Sequence, residues 1–250
     1  MKLEQRISEV SSRLRELVTV HQPAVFSSSF GSEDMVIMDL ISKLDLEVEV
    51  FTLDTGRLHE ETHKLINEAR DKYARPVRIM YPDASELESY ALKHGDNAFY
   101  GSIELRKRCC EIRKVLPLRR ALHEKRLWIT GMRRSQSPTR ADLELLAFDV
   151  QHGLFKFNPL LEWSSRNVSD YVQEFDVPIN ALHAQGYPSI GCAPCTRPVR
   201  PGEDERAGRW WWENIDSREC GLHLNPEGRL VRSAARQGES GIRSRETEKP

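Results

Sequence analysis

Residues 24–34 read AVFSSSFGSED, and this stretch indicates the fold. The segment Ala24–Phe30 combines apolar residues with three serines, as in a buried strand that runs into a loop. The segment that follows, Met35–Ile41, is predominantly apolar and predicts a helix. A strand, a loop of small residues and a helix together present backbone N–H groups to an anion. The stretch is therefore a candidate phosphate site, although ordinary strand–helix turns have the same pattern.

Strands and helices alternate along the rest of the chain. The predicted strands after the first are 46–53, 77–81, 127–131 and, as a pair at one edge, 145–150 and 154–157. The predicted helices are 3–20, 58–73 with Asp54 or Thr55 as its cap, 85–94, 104–126, 164–175 with Ser164 as its cap, and 203–215. This alternation indicates a parallel sheet whose ligands bind beyond the carboxyl ends of its strands, where residues 28–34 and 54–57 both fall.

The composition indicates a soluble protein with a substantial core. The 250 residues are 39% hydrophobic and 30% charged, and the formal net charge is -1. This balance gives no overall attraction to nucleic acid or to a membrane surface, and the apolar runs are far shorter than the roughly 20 residues of a spanning helix. The N-terminus lacks the apolar core of a secretory signal, and five cysteines are too few for a disulfide scaffold. We therefore expect a cytoplasmic protein with reduced thiols.

Four of the five cysteines form two close pairs. Cys109 and Cys110 are adjacent, and Cys192 and Cys195 form a C-x-x-C motif. Four thiolates that converge suit an iron–sulfur cluster. A zinc site with four cysteines is the main alternative, although the adjacent pair breaks its usual spacing, and unliganded thiols are a third interpretation. Lys114 follows Cys110 by four residues, so on a helix it lies on the same face, beside an anionic cluster or simply in solvent.

The fifth cysteine, Cys220, lies apart from the others in a polar stretch near the C-terminus. Positive neighbours favour the thiolate, which is the nucleophilic form, and an incidental free thiol is the alternative. Arg206 and Arg209 are three residues apart, so on a helix they share a face that suits a phosphate or sulfate, or forms a solvated basic surface. The remaining histidines of interest show no metal-ligand pattern and are interpreted as structural or surface residues; they are His59, His63, His94, His152 and His183.

Together, these motifs resemble the assimilatory adenylyl-sulfate reductases, which form one family with the phosphoadenylyl-sulfate reductases. The resemblance runs from about residue 25 to 223, and the cysteine motifs are its most specific part. The matching stretches are CCEIRKVLPL at 109–118, GCAPCTRP at 191–198, RWWWE at 209–213 and ECGLH at 219–223, with SFGSED at 29–34 and LDTGR at 53–57 as supporting loops. One loop departs from the family pattern, because 137–140 is one residue shorter than the usual Ser-Pro-Gly-Thr-Arg.

The resemblance implies a fold, a cofactor and a reaction. The implied fold is an α/β domain of the adenine-nucleotide hydrolase type, related to the ATP pyrophosphatases, with a parallel sheet, helices on both faces and an altered phosphate loop at residues 28–34. The implied cofactor is a [4Fe-4S] cluster held by Cys109, Cys110, Cys192 and Cys195. The implied substrate is adenosine 5'-phosphosulfate, whose sulfur Cys220 attacks before thioredoxin or a glutaredoxin releases sulfite. The implied substrate-binding residues are Lys114, Arg140, Arg206, Arg209 and His223 at the phosphosulfate, and Ser28, Ser29, Leu53 and Gly131 near the adenosine.

We expect three parts along the chain: an N-terminal helix at 1–22, a nucleotide-binding reductase domain with the cluster at 23–215, and a flexible C-terminal tail at 216–250 that carries Cys220. The nearest alternative is a reductase of the 3'-phosphorylated nucleotide. A nucleotide-activating sulfur transferase and a non-catalytic zinc or cluster protein are more distant alternatives. The expected partners are the nucleotide and a protein reductant, with no nucleic acid and no membrane, while a homo-oligomer stays open.

Overall fold

The computed structural model describes residues 2–137 and 140–213, and its centre is a six-stranded sheet in the order β3-β2-β1-β4-β6-β5. The strands are β1 (Ala24–Ser27), β2 (Val48–Leu53), β3 (Val77–Met80), β4 (Leu127–Ile129), β5 (Leu146–Asp149) and β6 (Leu154–Phe157). Every neighbouring pair is parallel except β5 and β6, which are antiparallel. The predicted fold class and the predicted pair of strands at one edge are both confirmed.

Helices and short turns connect the strands. The helices are α1 (Leu3–Val20), α2 (Ser32–Lys43), α3 (Glu60–Tyr73), α4 (Ala84–His94), α5 (Ile103–Cys110), α6 (Leu116–Leu122) and α7 (Ser165–Glu174). A π-helical turn, Glu111–Val115, joins α5 to α6. The helix α7 begins as predicted, because the Ser164 side chain accepts a hydrogen bond from the Asn167 N–H. Among the helices of the described residues, none is long and apolar enough to cross a membrane.

The sheet is covered on both faces. Phe26 belongs to a large apolar cluster that includes residues of α1, α2, α3 and α7. Its neighbour Val25 points to the other face and belongs to a smaller cluster with residues of α6. Successive residues of a strand point to opposite faces, so strands covered on both sides are apolar at nearly every position, as β1 is. The core therefore fixes the sheet rigidly and leaves the loops at its edges to form a site.

A crevice forms where the chain changes direction across the sheet. From the central strand β1 the chain continues to β2 and β3 on one side, and it later adds β4 on the other side. In such sheets the loops beyond the carboxyl ends of the two strands at the switch point separate and leave a ligand crevice. Here those loops begin at Ser28 and Thr130, and they continue into α2 and into the turn Arg134–Gln136.

Three predicted features of the helices differ from the structure. The predicted helix at 203–215 is wrong, because the described residues of this segment form turns. Two backbone hydrogen bonds join these turns to residues 195–197: the Arg197 N–H donates to the Gly208 carbonyl at 3.0 Å, and the Trp210 N–H donates to the Cys195 carbonyl at 3.1 Å. The segment 104–126 is divided by the π-helical turn. The helix α3 starts at Glu60, since Asp54 accepts a hydrogen bond from the Gly56 N–H at 2.8 Å and so organises its own loop.

Candidate active site

A cavity of about 700 Å³, called here the sheet-end cavity, opens beyond the carboxyl ends of β1, β2 and β4. Its volume is in the range of sites for small molecules and cofactors. It is lined by the loops that follow these strands and by segments from α6, α7 and residues 183–210. Eight of the residues predicted to bind substrate line it together: Ser28, Ser29, Leu53, Lys114, Gly131, Arg140, Arg206 and Arg209.

The loop after β1 is organised by the buried side chain of Asp34, in the first turn of α2. Its Oδ2 accepts hydrogen bonds from the Ser29 N–H at 2.5 Å and from the Ser29 hydroxyl at 2.7 Å. Burial raises the pKa of Asp34 to about 7, which outweighs the lowering effect of these hydrogen bonds. The carboxyl also touches the loop after β4, because a Cβ at Gly131 would lie 2.1 Å from Asp34 Oδ1. Glycine at position 131 is therefore required for the two loops to meet.

Four buried cationic side chains line the same cavity, and they are Lys114, Arg133, Arg140 and Arg209. Arg209 donates to the Ser189 hydroxyl at 3.3 Å and to the Ile190 carbonyl at 3.2 Å. Its guanidinium passes directly over Gly191, where a Cβ would lie 2.2 Å from Nη2. Water screens buried charges less than exposed ones, so this wall of the cavity can bind a phosphate or sulfate strongly.

The four paired cysteines line one smaller cavity, called here the thiol cavity. Cys109 and Cys110 end α5, and Cys192 and Cys195 flank a tight turn. The other lining residues are four cations and three apolar residues: Arg57, Arg106, Arg113, Lys114, Phe99, Pro194 and Trp210. Three residues, Lys114, Cys192 and Trp210, line both cavities and form the wall between them. Cys192 is thus the one of these four cysteines that lines both cavities.

The surroundings shift the pKa values of Cys192 and Cys195 in opposite directions. Burial alone would raise the pKa of Cys192, but Lys114, the Thr55 hydroxyl, Arg209 and Arg113 together hold it below its usual value. The Thr55 Oγ1 lies 3.2 Å from Cys192 Sγ. Burial raises the pKa of Cys195 to about 11, and the neighbouring Cys192 adds to that effect. Burial also raises the pKa of Cys109, so of Cys109, Cys192 and Cys195 it is Cys192, in the wall between the cavities, that most readily becomes a thiolate.

Two pairs of cavity-lining side chains had no signal in the sequence. The buried Arg133 donates through Nε to Glu33 Oε1 at 2.7 Å, and Gln136 donates to the same oxygen at 3.0 Å. These residues lie about 100 positions apart, and no local spacing relates them. Only the parallel pairing of β1 with β4 brings the two loops together.

The second missed pair is Ser32 and His183. The Ser32 hydroxyl lies 3.1 Å from His183 Nε2, and His183 Nδ1 lies 2.8 Å from the Tyr187 carbonyl oxygen. A carbonyl only accepts, so Nδ1 carries a proton, and in the neutral imidazole Nε2 then accepts from the Ser32 hydroxyl. The sequence-based interpretation of His183 as a structural or surface residue is therefore incomplete, because His183 lines the cavity.

Cys220 and His223 lie outside the described residues, so the roles predicted for them stay predictions. Within 2–137 and 140–213, no group of three or more His, Cys, Asp or Glu side chains is arranged to hold a metal ion. No disulfide bond within these ranges involves Cys109, Cys110, Cys192 or Cys195.

The fold and this site define a nucleotide-binding α/β protein with a thiol centre beside the nucleotide cavity. The model of the phosphoadenosine phosphosulfate reductase domain matches residues 23–198. The chain belongs to that family. It is 47% identical to the adenosine 5'-phosphosulfate reductase of Burkholderia cepacia over 89% of each chain. It is 46% identical to the enzymes of the same name from Agrobacterium fabrum, over 86% of this chain and 83% of that one, and from Neisseria meningitidis serogroup B, over 88% and 90%.

Solved structures give the same result for the fold. The phosphoadenylyl-sulfate reductase of Candida auris, solved as a phosphate complex, matches with a TM-score of 0.65 and 29% identity, over 79% of this chain and 96% of that one. The FMN adenylyltransferase of Candida glabrata, in complex with FMN and an ATP analogue, matches with a TM-score of 0.53 and 16% identity, over 87% and 74%. The second likeness concerns the fold alone.

Proposed function

We propose that this protein reduces adenosine 5'-phosphosulfate to sulfite and AMP in sulfate assimilation. The observation that carries the proposal is the wall shared by the two cavities. It brings the buried cation Lys114 and the thiol Cys192 to the sheet-end cavity, where Arg209 also lies and helps to lower the pKa of Cys192. The names of relatives with 46–47% identity over most of their length support the same substrate.

The cavity supports one orientation of the substrate. The adenosine binds at the ends of β1, β2 and β4, near Ser28, Leu53 and Gly131. The phosphosulfate then lies toward Lys114 and Arg209, next to the thiol cavity. Cations at that end offset the repulsion between an anionic nucleophile and an anionic substrate, and they stabilise the charge that develops on the leaving phosphate.

We further propose that the thiol cavity holds the [4Fe-4S] cluster. The chemistry of the donors fits, since four thiols line one cavity together with four cationic side chains. Those cations would offset the negative charge of thiolate ligands, and coordination itself deprotonates thiols such as Cys195, whose pKa is otherwise raised to about 11. When bound, the cluster would supply a fixed charge beside Lys114. Iron and acid-labile sulfide in anaerobically purified protein would distinguish a cluster from zinc.

In the proposed reaction, Cys220 is the nucleophile. Its thiolate attacks the sulfur of the sulfate group, an S–S bond forms, and the bond from sulfur to the bridging oxygen breaks as AMP leaves. A thiolate of thioredoxin, or of a glutaredoxin, then attacks the Cys220 sulfur, releases sulfite and forms a mixed disulfide. The second thiol of the reductant resolves that disulfide. Cys220 follows Trp210 by ten residues, a stretch that spans at most about 33–36 Å when fully extended. A mechanism that needs Cys220 and the thiols of the reductant in reduced form suits the reducing conditions of the cytosol, where we propose that the protein acts.

The second candidate function is reduction of the 3'-phosphorylated nucleotide, which the Candida auris structure is named for. The two substrates differ by one phosphate on the ribose. Parallel assays of both nucleotides separate the two functions directly.

The test is sulfite release from adenosine 5'-phosphosulfate with reduced thioredoxin. We expect sulfite and AMP in equal amounts from the native protein, and neither from Cys220→Ser with its iron content unchanged. Turnover of only the 3'-phosphorylated nucleotide would favour the second candidate. Full activity of Cys220→Ser would contradict the proposed mechanism.

A further inference from the structure

A fully buried ion pair joins α5 to the last described residues of the chain. Arg106 has no exposed side-chain surface, and its guanidinium donates to both carboxylate oxygens of Glu213, with Nε at 2.9 Å and Nη2 at 2.8 Å. Removing one partner of such a pair would leave an uncompensated buried charge. The pair therefore holds residue 213 firmly against the helix that ends in Cys109 and Cys110.

Trp210 lies between this ion pair and the sheet-end cavity. Its indole ring is 4.9 Å from the Arg106 guanidinium carbon and 4.8 Å from that of Arg209. Its backbone has φ +43°, a left-handed conformation that is a genuine outlier for a bulky residue. Strained backbone of this kind persists only where the surroundings over-determine it. At Trp210 those surroundings are the stacking with Arg106 and the hydrogen bond from its N–H to the Cys195 carbonyl.

The backbone at Trp210 decides where Arg209 points. Arg209 precedes the strained residue, and its guanidinium reaches the sheet-end cavity through the narrow space over Gly191. A side chain with so little lateral room follows any shift of its backbone. If the Trp210 turn relaxes, the guanidinium of Arg209 moves away from the position that the cavity offers it.

We infer that Arg106 and Glu213 are positioning residues for the anionic group of the nucleotide. Neither lines the sheet-end cavity, and both act through Trp210 by holding the turn that directs Arg209 at the anion. The inference rests on the proposed function, because it assigns Arg209 to the phosphosulfate. It adds two residues through which α5, the helix that ends in Cys109 and Cys110, affects the affinity for the nucleotide.

The experiment compares the affinities of AMP and adenosine for the full-length, anaerobically purified protein by calorimetry. In Glu213→Gln, the AMP dissociation constant should rise roughly tenfold, since a displaced cation loses most of a charge-assisted contact, while that of adenosine should change less than about twofold. The matched control is Glu86→Gln, which removes an exposed ion pair with Arg108 on the same helix (2.7 Å) and should change neither affinity. An unchanged AMP affinity in Glu213→Gln would overturn the inference.

A second variant separates positioning from stability. Arg106→Met combined with Glu213→Leu removes both charges, and apolar replacement of a complete buried pair often restores stability. We expect the melting temperature to return toward the native value while the AMP affinity stays low, because the stacking on Trp210 is gone. If the AMP affinity recovers together with the melting temperature, or if both variants fail to fold, the pair is a general stabiliser and the inference is wrong. Native protein that binds neither AMP nor adenosine 5'-phosphosulfate would instead contradict the proposed function.

Discussion

The two cavities are built in different ways. One side of the sheet-end cavity is made of strand ends and the loops that follow them, such as Ser28 after β1 and Leu53 at the end of β2. The thiol cavity is made of segments about 80 residues apart, Cys109–Cys110 and Cys192–Cys195, joined by buried charges and by the Trp210 turn. Strand ends contribute to the lining of the first cavity and, among the described residues, no strand residue lines the second, so mutations should affect the two differently.

The largest effect is expected where the two cavities share a wall. Lys114→Gln removes the buried cation that lines both of them, so kcat/KM for adenosine 5'-phosphosulfate should fall roughly 100- to 1,000-fold. Lys107→Gln, an exposed position on α5, is the control and should behave as the native protein. Comparable losses in both variants would show that Lys114 has no special role.

The next effect concerns what holds the thiol cavity together. Glu213→Ala leaves the Arg106 charge buried without its partner, which should lower the free energy of unfolding by about 3–5 kcal/mol. Glu86→Ala removes an exposed pair between α4 and Arg108 of α5 and should cost no more than about 1 kcal/mol. Urea unfolding of the two variants measures both values. Equal costs would contradict the claim that buried charges hold this cavity together.

Asp34, which lines the sheet-end cavity, has a raised pKa that should make the stability of the protein depend on pH. The pKa of this carboxyl is raised from 3.8 to about 7 in the folded state, so the protonated form favours folding. That contribution is complete below about pH 4 and is lost as the pH rises through 7. The stability of the native protein relative to Asp34→Asn should therefore fall by about 2–3 kcal/mol between pH 5 and pH 8.

Urea unfolding at several pH values measures this difference. Asp71→Asn, at an exposed position on α3, is the control and should follow the native curve at every pH. A pH-independent difference between the native protein and Asp34→Asn would mean that the carboxyl is ionised in the folded state like an ordinary aspartate.

The smallest effect compares the same mutation at the two ends of the sheet-end cavity, the end near the thiol cavity and the adenosine end. Gly191→Ala places a methyl group 2.2 Å from the Arg209 guanidinium, so AMP affinity should fall roughly tenfold while adenosine affinity is kept. Gly131→Ala places one 2.1 Å from Asp34 Oδ1, at the adenosine end, and should weaken both ligands alike. Calorimetric titrations with the two ligands measure both patterns. Identical patterns for the two variants would remove the distinction between the two ends.

The sequence predicted what depends on local pattern and on motif. The strand–loop–helix at 24–41 predicted β1 and α2, and the motifs brought eight cavity-lining residues to attention, from Ser28 to Arg209. It failed at 203–215, where a helix was predicted from local spacing. There the Gly208 carbonyl pairs with Arg197, and Trp210 is held in a left-handed conformation by residues far along the chain.

The contacts that the sequence did not reveal are all long-range. The Arg133–Glu33 pair spans 100 positions, and the Arg106–Glu213 pair spans 107. Such pairs form because the folded core brings distant segments together, and no periodicity or spacing along the chain encodes them. The same limit applies to His183, whose partner Ser32 lies 151 positions away.

The central claim is that the Cys220 thiolate attacks the sulfate group of the substrate, while Lys114 and Arg209 stabilise the anionic groups. The other four cysteines belong to the thiol cavity and do not attack the substrate. The most direct measurement is a single turnover with adenosine 5'-phosphosulfate in the absence of any reductant, with AMP quantified and the protein analysed by mass spectrometry. The account predicts one AMP per chain and a sulfonate group attached to Cys220 in the native protein, with no AMP from Cys220→Ser. AMP release from Cys220→Ser at the native rate, or a modified residue other than Cys220, would contradict it.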